Sequence, residues 1–397
     1  MDTTTPIVIL GLSRGIFHHG ALGIARSAGR LGIPVYRVAL ERRSPAALSR
    51  YSRGWRSIPA GASVDQTLAT LRDLKRAVGQ AILIPVDDAG SVFVEENLEA
   101  LERDFLLPGQ PAGLAQALSS KREMYELCTT HNIPTPLSVF PESEQEVLDH
   151  ADAASFPIVA KCINAGDAPP SAPRVAIAES REQLLESYRL MQSPGGQNVM
   201  LQEYIPGTPE TVWMFNGYFD GGSECRVGFT GKKIRQSPPY TGATTLGVCL
   251  ENQTVRDTTV RFMKAVGYRG ILDIGYRFDH RDNEYKLLDV NPRIGGTFRL
   301  FVGHDGMDVL RALYLDLTGQ EVPPTSHPTG RRWLVEPLDL ASSVTYLRRG
   351  DLTLGAWARS FRDVREAAWF AADDLRPFLS LWVWLLFDSF SRRSRDG

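Results

Sequence analysis

The sequence predicts a multidomain protein that mixes α/β and α+β architecture, and three observations lead there. Its 397 residues exceed one ordinary domain of roughly 100–200 residues, so two to four compact units with their own cores are expected. The first part alternates short apolar runs with helical patterns, as parallel sheets do. Farther along, a series of apolar runs, the last two separated only by a hairpin turn, suggests a largely antiparallel sheet.

Taken in order, residues 6–10 form an apolar strand ending at Gly11, residues 20–31 a helix, and residues 34–40 a second strand, which is a βαβ opening. A further helix over 64–78 leads to a strand over 81–86, ending at Asp87 and Asp88, where open parallel sheets place their ligands. The unit is therefore read as a Rossmann-like domain over residues 1–118. A helix over 121–132 is stopped by the prolines of IPTP, since proline has no amide to donate and restricts the residue before it. Residues 156–162 and 199–204 read as strands, with a loop rich in Gly, Pro, Ala and Ser over 165–173. Strands over 211–215, 224–230, 271–278 and 285–290 suggest a largely antiparallel sheet, the last two joined by a hairpin turn over 279–284. The expected domains are 1–118, 119–198, 199–322 and 323–397, the last a linker followed by a helical C-terminal extension.

Lys and Arg number 44 against 46 Asp and Glu, a formal charge of −2, so no global field favours nucleic acid. Cys128, Cys162, Cys225 and Cys249 form no CxxC pair, and no secretory leader is read, which points to free thiols in a cytoplasmic protein. The most apolar stretch, residues 378–390, contains Ser380, Asp388 and Ser389 and is too short to span a bilayer. Followed by Arg392, Arg393 and Arg395, it suits either a helix docked on the protein or peripheral contact with an anionic membrane surface.

The strongest chemical signal is LLDVNPRIGGTFR, residues 287–299. Asp289 and Asn291 alternate along a strand and so share a face. Two hard oxygen donors there favour magnesium, and Arg293 could grip a phosphate or carboxylate through its planar fork. Asp273 on the preceding strand is a further ligand candidate, and Lys161 after PIVA can reach nucleotide phosphates or simply snorkel out of the sheet. Residues 11–15, GLSRG, satisfy the GxSxG pattern of a hydrolase nucleophile elbow. That pattern here follows the first strand, with no earlier segment to form an oxyanion hole. It reads instead as a tight turn, or as one that brings amides and Ser13, Arg14 or His18 toward a ligand. His18 and His19 suggest no zinc site.

The order of motifs is more specific than any one of them. SSKREMYEL from Ser119, PIVAKC, VMLQEYIPG, KKIRQSPPYTGATT and LLDVNPRIGG follow one another as in the ATP-grasp superfamily, which the chain resembles over residues 7–319. The likeness is to its carboxylate–amine ligases, of the D-aspartate ligase or carbamoyl-phosphate synthase ATP-binding-domain kind. It implies an ATP-grasp fold behind the Rossmann-like domain, and ADP-forming ligation of a small carboxylate to an amine, such as an amino acid, through an acyl-phosphate. ATP and magnesium, two ions that manganese can replace, are the implied cofactors, and a homodimer is the family-level expectation.

By position, the resemblance implies that Lys121 and Lys161 hold the nucleotide phosphates. Glu203, Tyr204 and Ile205 match the hinge that reads adenine, and Glu210 matches the acid that binds the ribose. Asp289 and Asn291 match the magnesium pair, with Asp in place of the commoner Glu, and Arg293 matches the residue that stabilises the acyl-phosphate. Gly275 stands where relatives often carry a Glu or Gln metal ligand, a role left for Asp273. Lys233 and Arg235 lie in the loop over 232–245 that would close over ATP. The rival reading is an ATP-binding regulatory protein with a degenerate site.

Overall fold

The computed structural model describes residues 1–13, 19–40, 44–163, 169, 171–193 and 196–393, with side chains through residue 386. Arg14 and His18 lie outside the described residues, as does most of the loop over 165–173. The chain begins β1 (Ile7–Gly11), α1 (His19–Arg30), β2 (Val35–Ala39), β3 (Ser52–Ser57), α2 (Val64–Val78), β4 (Ala81–Pro85), α3 (Asp88–Glu96), α4 (Leu98–Leu101) and β5 (Phe105–Leu106). There follow α5 (Leu114–Ser119), α6 (Lys121–Thr130), β6 (Ser138–Val139), α7 (Glu144–Ala153), β7 (Ile158–Cys162), β8 (Val175–Ala178), α8 (Arg181–Met191) and β9 (Val199–Glu203). The middle is built of β10 (Val212–Phe219), β11 (Cys225–Ser237), β12 (Ala243–Cys249), α9 (Gln253–Ala265), β13 (Gly270–Asp279) and β14 (Glu284–Asn291). The rest is α10 (Val309–Leu317), β15 (Arg332–Leu334), α11 (Glu336–Arg349), α12 (Leu354–Ser360), β16 (Val364–Ala367) and α13 (Arg376–Arg393).

Two compact units share this chain. The first takes Met1–Ala115, Met214–Asp273 and Asn291–Gly397, and the second takes Gln116–Trp213 and Ile274–Val290. The opening sheet of the first unit has the order β3-β2-β1-β4-β5 with every pairing parallel. Its central strands β1 and β4 are apolar on both faces, as a sheet covered on both sides requires. Ile7 and Ile9 join one core with Leu22 and Ile24 of α1, while Val8 and Leu10 join another with Leu71 and Leu74 of α2. Ser63 and Gln66 form a reciprocal capping box that starts α2. At the C-terminal end of the sheet, the Asp87 carboxylate accepts from the amides of Ser13 (2.9 Å) and Gly90 (2.8 Å), which ties the turn after β1 to the start of α3.

The same unit contains a largely antiparallel sheet in which β10, β11, β12, β15 and β16 are successive neighbours. β11 pairs with β12 from Gly231↔Cys249 to Ser237↔Ala243, and the register is irregular between Lys233 and Gln236. Besides its helices, the segment after residue 330 thus adds two strands, β15 beside β12 and β16 beside β15. They are anchored by Trp333 and Trp369, both 1% exposed. The buried Arg26 of α1 donates to Asp374 (3.0 Å) and to the carbonyls of Ala368, Trp369 and Asp374, which fastens this segment to the opening helix. α13 packs Phe378, Leu381 and Leu385 on the core and leaves Leu379, Val383 and Leu386 exposed. Among the described residues, no helix is long and apolar enough to cross a membrane.

The second unit has the antiparallel sheet β6-β9-β7-β8, in which Ile158 lies opposite Glu203 and Lys161 opposite Met200. Ile158, Ala160 and Cys162 alternate inward against Leu184 and Tyr188 of α8. Lys161, between two of them, is thereby turned to the other face. The second half of β13 and most of β14 complete this unit.

Candidate active site

In the second unit, Lys161 Nζ donates to Gln202 Oε1 at 2.6 Å and Lys121 Nζ donates to the Ile163 carbonyl at 3.0 Å. Burial pushes the Lys161 amine down to about 8; Asp289 opposes that shift, while the positive charges of Lys121 and Arg277 add to it. Three cations and one carboxylate are thus electrostatic neighbours, a surplus of positive charge that suits a polyanion. Gly275 has a steric reason to lack a side chain, because a Cβ there would collide with the Asp289 carboxylate. The space of the expected ligand on β13 is filled by the acid of β14.

Glu203 and Tyr204 among the hinge candidates have partners on β13, β14 and the turn between them. Tyr204 lies under the Arg277 guanidinium, 5.8 Å from ring centroid to cation, and Arg277 Nη2 donates to the Gly207 carbonyl at 2.6 Å. Burial pushes the Arg277 guanidinium below its ordinary value. Ile205 is buried, and Glu210 is exposed in a short 3-10 turn. Burial would raise the Glu203 carboxyl, but the Leu137 amide, Lys286 and Arg281 outweigh it and hold the acid below its ordinary range. Glu203 accepts from that amide (2.9 Å), from Arg281 (2.8 Å) and from Lys286 (3.2 Å). It is committed to its own unit's framework, so the hinge segment starts from a fixed point.

In the first unit, Arg293 Nε donates to Asp88 Oδ1 at 2.6 Å and its Nη2 donates to Asn291 Oδ1 at 3.2 Å. The end of β14 is thereby joined to the C-terminal end of the parallel sheet. Gly295 leaves room for the Asp273 carboxylate, and Gly296 leaves room for His19, whose ring lies 5.7 Å from that of Trp333. Lys233 Nζ donates to the Gly242 carbonyl at 3.2 Å. Arg235 turns elsewhere: its fork is buried against Asp339, with Nε–Oδ1 and Nη2–Oδ2 both 2.8 Å.

Sequence reasoning did not find Arg277, Asp88 as the partner of Arg293, or Asp339. Arg277 had a readable signal, since it follows Gly275 by two and shares its strand face. Asp339, in the helical stretch EPLDLASS, had none. Among the described residues, no group of three or more His, Cys, Asp and Glu side chains gathers as a metal site. The expected set is different in kind, two acids and an amide.

No family model matches the sequence. Over 240 residues it is 24% identical to the D-aspartate ligase of Enterococcus faecium (strain Aus0004), an alignment covering 58% of this chain and 57% of that protein. The chain thus spans little more than half the length of that curated relative. Among solved structures, it is similar to the L-amino acid ligase from Bacillus licheniformis, with a TM-score of 0.60 at 15% identity over 81% of this chain and 78% of the other. The N5-carboxyaminoimidazole synthetase from Staphylococcus aureus complexed with ADP gives 0.63 at 12% identity over 88% of each chain. The biotin carboxylase domain of the Hydrogenobacter thermophilus 2-oxoglutarate carboxylase, in complex with MgADP, gives 0.59 at 15% identity over 82% of this chain and 73% of the other. With a parallel βαβ domain followed by antiparallel sheets that carry the motifs in this order, the chain has the ATP-grasp fold.

Proposed function

We propose that the protein is an ATP-dependent carboxylate–amine ligase acting through an acyl-phosphate. The observation that carries this reading is the charge arrangement of the second unit, where the buried Lys161 has Asp289, Lys121 and Arg277 as electrostatic neighbours, a net positive charge. Such a place attracts a nucleotide polyphosphate while keeping one hard oxygen ligand for its counter-ion. The donors fit magnesium: Asp289 and Asn291 stand two apart on β14, and Asp273 is the remaining acid of the set. Held there, magnesium would neutralise phosphate oxygens and orient the terminal phosphoryl group.

A carboxylate oxygen of the first substrate attacks the terminal phosphorus of ATP, and the bond to the bridging oxygen breaks to release ADP. Lys121 and Lys161 offset the charge that grows on the phosphate oxygens, and Arg293 holds the acyl-phosphate through its fork. The amine nitrogen of the second substrate then attacks the acyl carbon, loses a proton and expels inorganic phosphate, leaving an amide. An amino acid is the amine we expect, and the cytoplasm the location.

The test is ADP release from magnesium ATP over a matrix of amino acids and small carboxylates, with mass analysis of products, beside Asp289→Ala and Asn291→Ala. Ligation predicts ADP only with a particular pair, a product lighter than the pair by one water, and loss of turnover in both variants. ATP binding without ADP across the matrix supports the regulatory alternative, which the glycine at position 275 favours.

A further inference from the structure

We infer that Asp339 is a positioning residue that fixes the β11–β12 hairpin, and with it Lys233, from the C-terminal segment. The inference rests on the reading of Lys233 as a residue of the ATP site. The hairpin tip is folded tightly on itself. Lys233 Nζ (3.2 Å) and Gln236 Nε2 (2.7 Å) both donate to the Gly242 carbonyl, and a Cβ on Gly242 would run into the Ser237 backbone.

Next to the tip, one buried carboxylate touches both strands. Asp339 of α11, 1% exposed, receives the Arg235 fork from β11 and the Thr245 hydroxyl from β12 (2.9 Å), so one side chain joins both strands. Arg235 is further fixed by Ser360 Oγ (2.8 Å) and by the Phe361 ring, 5.4 Å from the guanidinium carbon. A bidentate pair with both partners buried is strong in geometry, and loss of one partner strands the other charge.

The tip is held in a different way. The Tyr240 amide donates to Tyr346 Oη (3.2 Å), its hydroxyl donates to Asp351, and its ring meets that of Tyr346 at 5.2 Å. The contact with Asp351 is exposed, whereas the one with Tyr346, itself 4% exposed, is partly buried. Asp339 therefore supports the strands beside Lys233, and Tyr240 ties the tip over residues 237–242 to Tyr346 of α11 and to Asp351.

The experiment uses the full chain and compares Asp339→Asn, Thr245→Val, Tyr240→Phe and Lys233→Met by amide hydrogen exchange across residues 225–249 and by ATP kinetics. Asp339→Asn is expected to raise exchange in both strands and to lower kcat at saturating ATP about 10- to 100-fold, as misplacement of a catalytic group does. Thr245→Val, which keeps the shape of the side chain, is expected to change both readouts in the same direction but less. Tyr240→Phe should raise exchange only over the tip. Unchanged exchange in Asp339→Asn and Thr245→Val overturns the anchoring, and raised exchange with unchanged kcat overturns the positioning role. Normal turnover in Lys233→Met, by contrast, refutes the reading of Lys233 and leaves the exchange result to judge the anchor. Should Asp339→Asn fail to fold, Thr245→Val decides alone.

Discussion

Lys161 shows how one side chain can carry both a cost and a use. Burial lowers its pKa to about 8, against an ordinary 10.5, with Asp289 the opposing influence. Since the unfolded chain binds the proton more tightly, this amine weakens the fold below about pH 8, and that cost fades as pH rises from about 8 toward 10.5. Phosphate binding has the opposite sign, because the charge that would hold the anion is lost as pH rises through about 8. We predict that ADP affinity, measured calorimetrically, falls from about pH 7 to 9, and that Lys161→Arg abolishes the fall because a guanidinium stays charged there. A flat wild-type profile would remove Lys161 from the nucleotide site. The alternation of Asp289 and Asn291 was legible in the sequence, since a strand puts i and i+2 on one face. The direction of Arg235 was not, because the register breaks between Lys233 and Gln236.

Among the elements, those with strong local signals were readable and those that depend on partners were not. β1, α2 and β4 announce themselves by apolar runs and helical periodicity, and the structure places them where the sequence does. β15 is three residues long and β16 four, too short to show a period; β15 is a strand because β12 offers an edge to extend, and β16 because β15 offers the next. The link between this segment and α1 was equally invisible, since Arg26 and Asp374 are 348 residues apart. It is nevertheless strong, because Arg26 is 2% exposed and Asp374 also accepts from the Ser49 hydroxyl and the Arg50 amide. We predict that Asp374→Ala destabilises the first unit by about 3–5 kcal/mol in denaturant titrations, because it leaves a buried guanidinium without its counter-charge. Asp373→Ala, which removes the exposed pair with Arg30, should cost about 1 kcal/mol or less. Equal effects of the two substitutions would contradict the weight given to burial.

For the whole molecule, the sequence made the fold class legible through the order of its motifs. It did not reveal that each compact unit is assembled from separated stretches, with the chain passing from one to the other after residues 115, 213, 273 and 290. Such passages leave no local mark, because each strand that crosses a boundary keeps one continuous pattern. Of the candidate residues, Lys121, Lys161, Glu203 and Asp289 belong to the second unit, and Lys233, Asp273, Asn291 and Arg293 to the first. Ligation through an acyl-phosphate is the central claim, and isotope transfer tests it most directly. With the substrate carboxylate labelled with heavy oxygen, an acyl-phosphate route predicts inorganic phosphate carrying one heavy oxygen per amide formed. Unlabelled phosphate released with ADP, in the presence of the same amine, would contradict it.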